Sequence, residues 1–128
     1  MPPTAGELAD RVRAALESGD LTAIADLLDP DVRWGAPDDP APSCQNRGPV
    51  LAWYQRGRAA GVQTRVTDVT VPGAKLLIGR KVVGGPPVER HGGDVDRWQV
   101  VTVAGGRVVD VRAFDDRRAA AASAATAA

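Results

Sequence analysis

The chain has 128 residues, a normal size for one domain with its own core. Sixteen basic and sixteen acidic residues cancel, and the fourteen arginines are scattered, so neither nucleic acid nor an anionic membrane is expected as a partner. A single cysteine and a single histidine exclude an internal disulfide and argue against a His/Cys metal site, and no apolar run nears the ~20 residues of a membrane-spanning helix.

The opening "MPPTAGELAD" has neither the basic nor the apolar region of a secretory leader, and with one free thiol this fits a cytoplasmic location. Thr4 and Glu7 stand at capping-box spacing, and Leu8, Val12, Ala15 and Leu16 recur at helical spacing, which predicts a helix from Ala5 to Ser18 stopped at Gly19. Asp20 caps a short second helix with Ile24, Leu27 and Leu28 on its apolar face, ended by Pro30. Residues 31–34 read as a short strand, and "GAPDDPAPSCQNRGP" at 35–49 as a loop. Pro49 opens a third helix reaching about Arg58, with Val50, Leu51, Trp53 and Tyr54 as its apolar surface.

After Gly61 the period changes to two. Residues 63–71, "QTRVTDVTV", and 75–83 read as strands joined by a Pro72-Gly73 turn. "GGPPVERHGGDVD" at 84–96 reads as a long mobile connection. Residues 97–104 and 107–115 are two further strands joined at Gly105-Gly106. Residues 118–128 are Ala-rich, with helix propensity but no apolar stripe, so a frayed or disordered tail is expected after a single domain at 1–117. The order ααβαββββ implies an α+β domain, with three helices packed on a curved, mostly antiparallel sheet and a concavity between them.

Three phrases carry a family resemblance: "GDLTAIADLLDPDVRW", "NRGPVLAWYQRG" and "RWQVVTVAGGRVVDVRAFDD". Together they resemble the SnoaL-like branch of the nuclear transport factor 2-like superfamily, over about Leu8 to Asp116. The resemblance implies a cone-shaped α+β barrel that binds a small, mostly apolar molecule and often dimerises through the open sheet face. It also implies chemistry of the isomerase, cyclase, dehydratase or epoxide-hydrolase type without a cofactor, or a non-catalytic ligand-binding or dimerisation module. Fold alone does not choose between these. Ketosteroid isomerases use two Asp and one Tyr; the matching places here hold Ala36, Trp98 and Val12, so that chemistry with those residues is not expected. In the same family the last strand faces the cavity through alternate residues, here Val109, Val111, Ala113 and Asp115.

Asp115 is therefore the candidate general acid or base: a carboxylate ending an apolar strand face can be desolvated and its pKa raised. The alternative is that the strand simply leaves for solvent there. Trp98 and Val100 are assigned to the cavity wall with Val111 and Ala113, and Trp34 and Tyr54 also count among the binding residues. Adjacent helical positions point about 100° apart, so only one of Trp53 and Tyr54 can face the core squarely, and Trp53 is the one expected to pack on the sheet. Arg80 shares a face with Leu76, Ile78 and Val82, where it can pair with Asp115 or meet an anionic substrate group. Gln99, Asp110 and Arg112 suggest a polar outer face, and Val101, Val103, Val108 and Phe114 an apolar one needing a partner subunit. His91 falls in the 84–96 connection, either solvated or on a lid, and Cys44 reads as a packed thiol.

Overall fold

The computed structural model describes residues 5–18, 20–36, 46–71 and 75–125. Thr4, Gly19, Cys44 and the Pro72-Gly73 turn lie outside them. Helix α1 spans Ala5–Ser18 and buries Leu8, Val12 and Ala15 along one face. Helix α2, Leu21–Leu27, begins where the Asp20 carboxylate accepts the Thr22 N–H at 2.9 Å. Strand β1, Leu28–Gly35, follows without a loop and includes Pro30. A proline is tolerated there because β1 is an edge strand, with one side free of ladder bonds. Helix α3, Arg47–Ala59, is capped by Asn46, whose side-chain oxygen accepts the Gly48 N–H at 3.0 Å, with Pro49 in the first turn.

Strands β2 (Thr64–Thr70), β3 (Leu76–Val82), β4 (Val95–Ala104) and β5 (Arg107–Phe114) form an antiparallel meander. Strand β1 joins it parallel to β5, giving the order β1-β5-β4-β3-β2. Gly105 and Gly106 both have positive φ, the conformation a two-residue hairpin between twisted strands requires. The 84–96 connection is not wholly irregular: it contains a short helix α4, Pro86–His91, started by prolines and closed by Gly92 in the left-handed region.

Helices α1, α2 and α3 cover one face of the sheet. The main core lies between them, with Val32, Val50, Leu76, Ile78, Val101, Val108 and Val111 among its members. Two bulges shape this inner face. Val66 pairs with Arg80 and Asp68 with Gly79, so Thr67 is the extra residue, and Val66 and Val69 both turn inward. On β5, Val108 pairs with Val103 and Asp110 with Thr102, so Val109 is the extra residue and Val108 and Val111 both face the core.

The opposite face corrects two expectations. Residues 118–125 are not a disordered tail: helix α5 spans Arg117–Ala125. Asp116 starts it by accepting the Arg118 and Ala119 N–H groups at 3.3 and 3.2 Å. Its stripe is alanine: Ala120 and Ala124, four residues apart and both 0% exposed, lie against Leu77 and Val100 with Trp98 and Phe114 alongside. Small side chains let the helix approach the sheet closely, which a search for large apolar residues overlooks. The face expected to need a partner subunit is also composed differently. Val101 and Val108 belong to the main core, Val103 packs against it, and Phe114 packs in the cluster under α5.

Candidate functional site

A cavity of about 1040 Å³ opens between the inner face of the sheet, the end of α3 and the start of α4. Beneath it lies a small apolar pocket that includes Ile78, Val101 and Val111, and Trp34, Tyr54 and Gln99 border both spaces. One wall is aromatic. The Trp34 ring lies 5.7 Å from that of Trp53 and 5.5 Å from that of Tyr54, which stands edge-on to it, and the Trp53 and Tyr54 rings are 5.1 Å apart. Trp34 comes from the end of β1, paired with Val111, and the other two from α3. Tyr54 turns into the core and Trp53, 47% exposed, stands outward, the reverse of the sequence expectation. Both rings still approach that of Trp34.

Arg80 is the polar centre. It sits mid-sheet on β3, between Val66 of β2 and Arg97 of β4, and is only 7% exposed. Its Nη2 donates to the Thr64 hydroxyl at 2.9 Å, and the guanidinium also hydrogen-bonds the Tyr54 hydroxyl. Its Nε is buried with no acceptor. None of the ion pairs found among the described residues includes Arg80. An unsatisfied buried donor costs about 1–3 kcal/mol, and more when it is charged. Burial pushes the Tyr54 phenol above its ordinary value of 10.0, while the charge and hydrogen bond of Arg80 pull it partly back. At neutral pH the phenol is therefore a proton donor. Gln99, 4% exposed, brings a buried amide to the same region between Ile78 and Ala113. Guanidinium, phenol and amide together form a set of donors suited to an oxygen that carries or develops negative charge.

Five of the expected site residues meet here. Trp34, Tyr54, Arg80 and Ala113 line the cavity, and Val111 lines the pocket below. Three do not. Val100 points to the opposite face, into the cluster under α5. Trp98 contributes to the cavity edge, but its ring lies across Gly79 on the outer face, with the Arg117 guanidinium 5.5 Å from its centroid. Asp115 falls in the bend just after β5. Its side chain is 87% exposed, pairs with Arg97 at 3.3 Å and is not part of the cavity lining. A solvated, paired carboxylate lacks the desolvation that would suit it to acid-base work. Gln99 is the residue the sequence pattern misplaced. Val95, Val101 and Val103 share its parity, and that run of valines marks the inward face of β4 more strongly than Trp98 and Val100 do. On the outer face Arg112 holds Asp110 at 3.0 Å and donates to the Ala36 carbonyl at 2.9 Å, tying β5 to the exit of β1. His91 is exposed at the end of α4, whereas Pro86, Pro87 and Arg90 of the same helix reach the cavity.

The family profile of the SnoaL-like domain matches residues 9–111. This chain belongs to the SnoaL-like family. Solved structures agree with its cone-shaped architecture. A candidate polyketide cyclase from Sinorhizobium meliloti is 23% identical, with 84% of this chain and 93% of that chain covered and a TM-score of 0.67. A candidate ketosteroid isomerase from Kribbella flavida is 22% identical over 86% of this chain and 76% of that one, also at 0.67. A de novo designed protein with a curved β-sheet is 16% identical, covered at 94% and 97%, at 0.69. Identities this low establish the fold. No curated protein matches the SnoaL-like chain. Among the described residues no helix is long and apolar enough to cross a membrane, and no three His, Cys, Asp or Glu side chains cluster as metal ligands would.

Proposed function

We propose that this SnoaL-like protein binds a small, mostly apolar molecule in its cone cavity and polarises one oxygen of it with Arg80 and Tyr54. The observation that supports this is the buried Arg80 guanidinium, with one N–H unpaired beside a protonated phenol, at the end of an aromatic-walled cavity. In catalytic form the reading is cofactor-free chemistry of the isomerase or cyclase type, in which the pair stabilises an enolate-like oxygen. Asp115 has no role in it.

A specific observation favours a second, non-catalytic reading. Among the described lining residues the only carboxylate is Glu17, which is exposed and paired with Arg13 at 3.4 Å, and there is no imidazole. A site rich in donors and poor in bases holds a ligand more readily than it removes a proton. One experiment separates the two readings. A ketone probe, 2-acetylnaphthalene, is titrated against the fluorescence of Trp34 and Trp53, and exchange of its α-protons is followed by NMR in D2O. Saturable quenching supports the cavity as a binding site. Exchange faster than in buffer, slowed in Tyr54→Phe and Arg80→Met and unchanged in Asp115→Asn, supports the catalytic form. Binding without exchange supports the carrier form, and no quenching by this or any other small apolar probe overturns the reading.

A further inference from the structure

The cavity is charged far more one-sidedly than the chain. Acidic and basic residues balance overall at sixteen each, yet the charged residues lining the cavity are six arginines and one glutamate. Arg56, Arg58, Arg65, Arg90 and Arg97 are exposed around its mouth, and Arg80 lies buried at its inner end. Clefts lined by one sign of charge concentrate ligands of the opposite sign, and low-dielectric walls sharpen the effect. At the mouth Arg97 is paired with Asp115 at 3.3 Å, and the excess of arginines over carboxylates in the lining still favours an anion there. At the inner end it meets a cation that is more than nine-tenths buried and that the described residues leave without a carboxylate.

We propose that the natural guest is an amphipathic monocarboxylate: an apolar body against the Trp34 and Trp53 rings, and a carboxylate received by Arg80. This rests on the reading of the cavity as a small-molecule site and names the class of molecule it takes. The chemistry favours a carboxylate over a phosphate. A guanidinium edge presents parallel N–H groups spaced for the two oxygens of a carboxylate. Arg80 borders the cavity and has no carboxylate partner among the described residues, and the Tyr54 hydroxyl, still protonated, can supply a further donor. A phosphate dianion needs a second cation in contact, and every other arginine of the lining is exposed at the mouth. The aromatic wall then accounts for the rest of the molecule, because Trp34, Trp53 and Ile24 offer it apolar surface.

Octanoate, benzoate and 2-naphthoate are each titrated against the neutral primary amide of the same skeleton, with tryptophan fluorescence as the signal. A preference of about 10- to 100-fold for at least one carboxylate is expected, as one charge-assisted hydrogen-bonded pair supplies. That preference should disappear in Arg80→Met and be partly restored in Arg80→Lys, which keeps the charge but loses the fork. Far-UV circular dichroism checks the fold of both. Should Arg80→Met not fold, the wild-type protein suffices: carboxylate affinity must weaken with added salt while amide affinity holds. Amides binding as tightly as carboxylates, or salt leaving both unchanged, overturns the monocarboxylate proposal and leaves the small-molecule reading standing. Failure of both series to bind overturns that reading as well.

Discussion

Tyr54 is the only tyrosine of the chain, so its ionisation can be followed alone. Burial raises its pKa from 10.0, and Arg80 opposes the rise by charge and by hydrogen bond. An acid with a raised folded-state pKa holds its proton longer in the folded state than in the unfolded one. Its contribution to stability is therefore complete below pH 10 and is lost as the pH climbs from there through the folded-state value. A titration of phenolate absorbance near 295 nm should give a midpoint above 10 in the wild-type protein. Arg80→Met removes both opposing influences, so its midpoint should move higher still. A midpoint in Arg80→Met lower than in the wild type would mean that the guanidinium does not face the phenol. The same pair explains why Arg80 is tolerated in the core at all. Its Nη2 and its contact with Tyr54 recover part of the cost of burial, while its Nε is left unpaired.

At the scale of elements, β3 and β4 meet through an unusual pair: Gly79 opposite Trp98. A Cβ at position 79 would come within 2.5 Å of the Trp98 ring at Cζ3 and 2.9 Å of the Thr67 hydroxyl. The glycine is the recess that lets the indole lie flat on the outer face. Gly79→Ala should therefore destabilise the fold by about 1–3 kcal/mol despite the entropic gain of replacing glycine in a strand. In urea denaturation, adding Trp98→Leu should recover part of that loss, and strict additivity of the two would show that the ring and the recess are independent. This pairing also shows how far the sequence could be read. Helix α1 was legible to the residue, because Leu8, Val12 and Ala15 repeat at helical spacing, and the hairpin at Gly105-Gly106 was legible from its glycines. Arg80 and Ala113 were legible as cavity-lining residues from the strand faces they share with buried neighbours, whereas the inward turn of Tyr54 was not, because Trp53 was the residue expected to pack on the sheet. The parity of β4 was not. A large aromatic at position 98 looks like a cavity wall, and only the glycine opposite, far away in sequence, reveals that it packs outward. Asp115 escaped for a smaller reason: β5 ends one residue earlier, at Phe114, and a shift of one residue separates a lining side chain from a solvated one.

For the molecule as a whole, α5 decides what the outer face of the sheet presents. Leu77 and Val100 are nearly fully covered by it, with Trp98 and Phe114 beside them, so a second copy approaching this face meets a helix rather than bare apolar strands. The cover is held by few devices: the Asp116 cap, two buried alanines, and the Arg117 guanidinium over Trp98 with its 3.8 Å contact to Asp68. Exposed ion pairs of this kind add little, so the alanine contacts carry most of the docking energy. Ala120 has no exposed surface, and a longer charged side chain there must lift the helix away. Ala120→Glu should therefore lower thermal stability and expose the patch around Leu77 and Val100. Sedimentation velocity should then show concentration-dependent association beyond that of the wild-type protein, because an uncovered apolar sheet face seeks another surface. The conservative control is Ala122→Glu, at an exposed position of the same helix, which should change neither stability nor association. Equal association of both variants and the wild type would mean that α5 does not shield the sheet. The cavity lies on the other side of the strands, so ligand binding should persist in Ala120→Glu at temperatures where it remains folded.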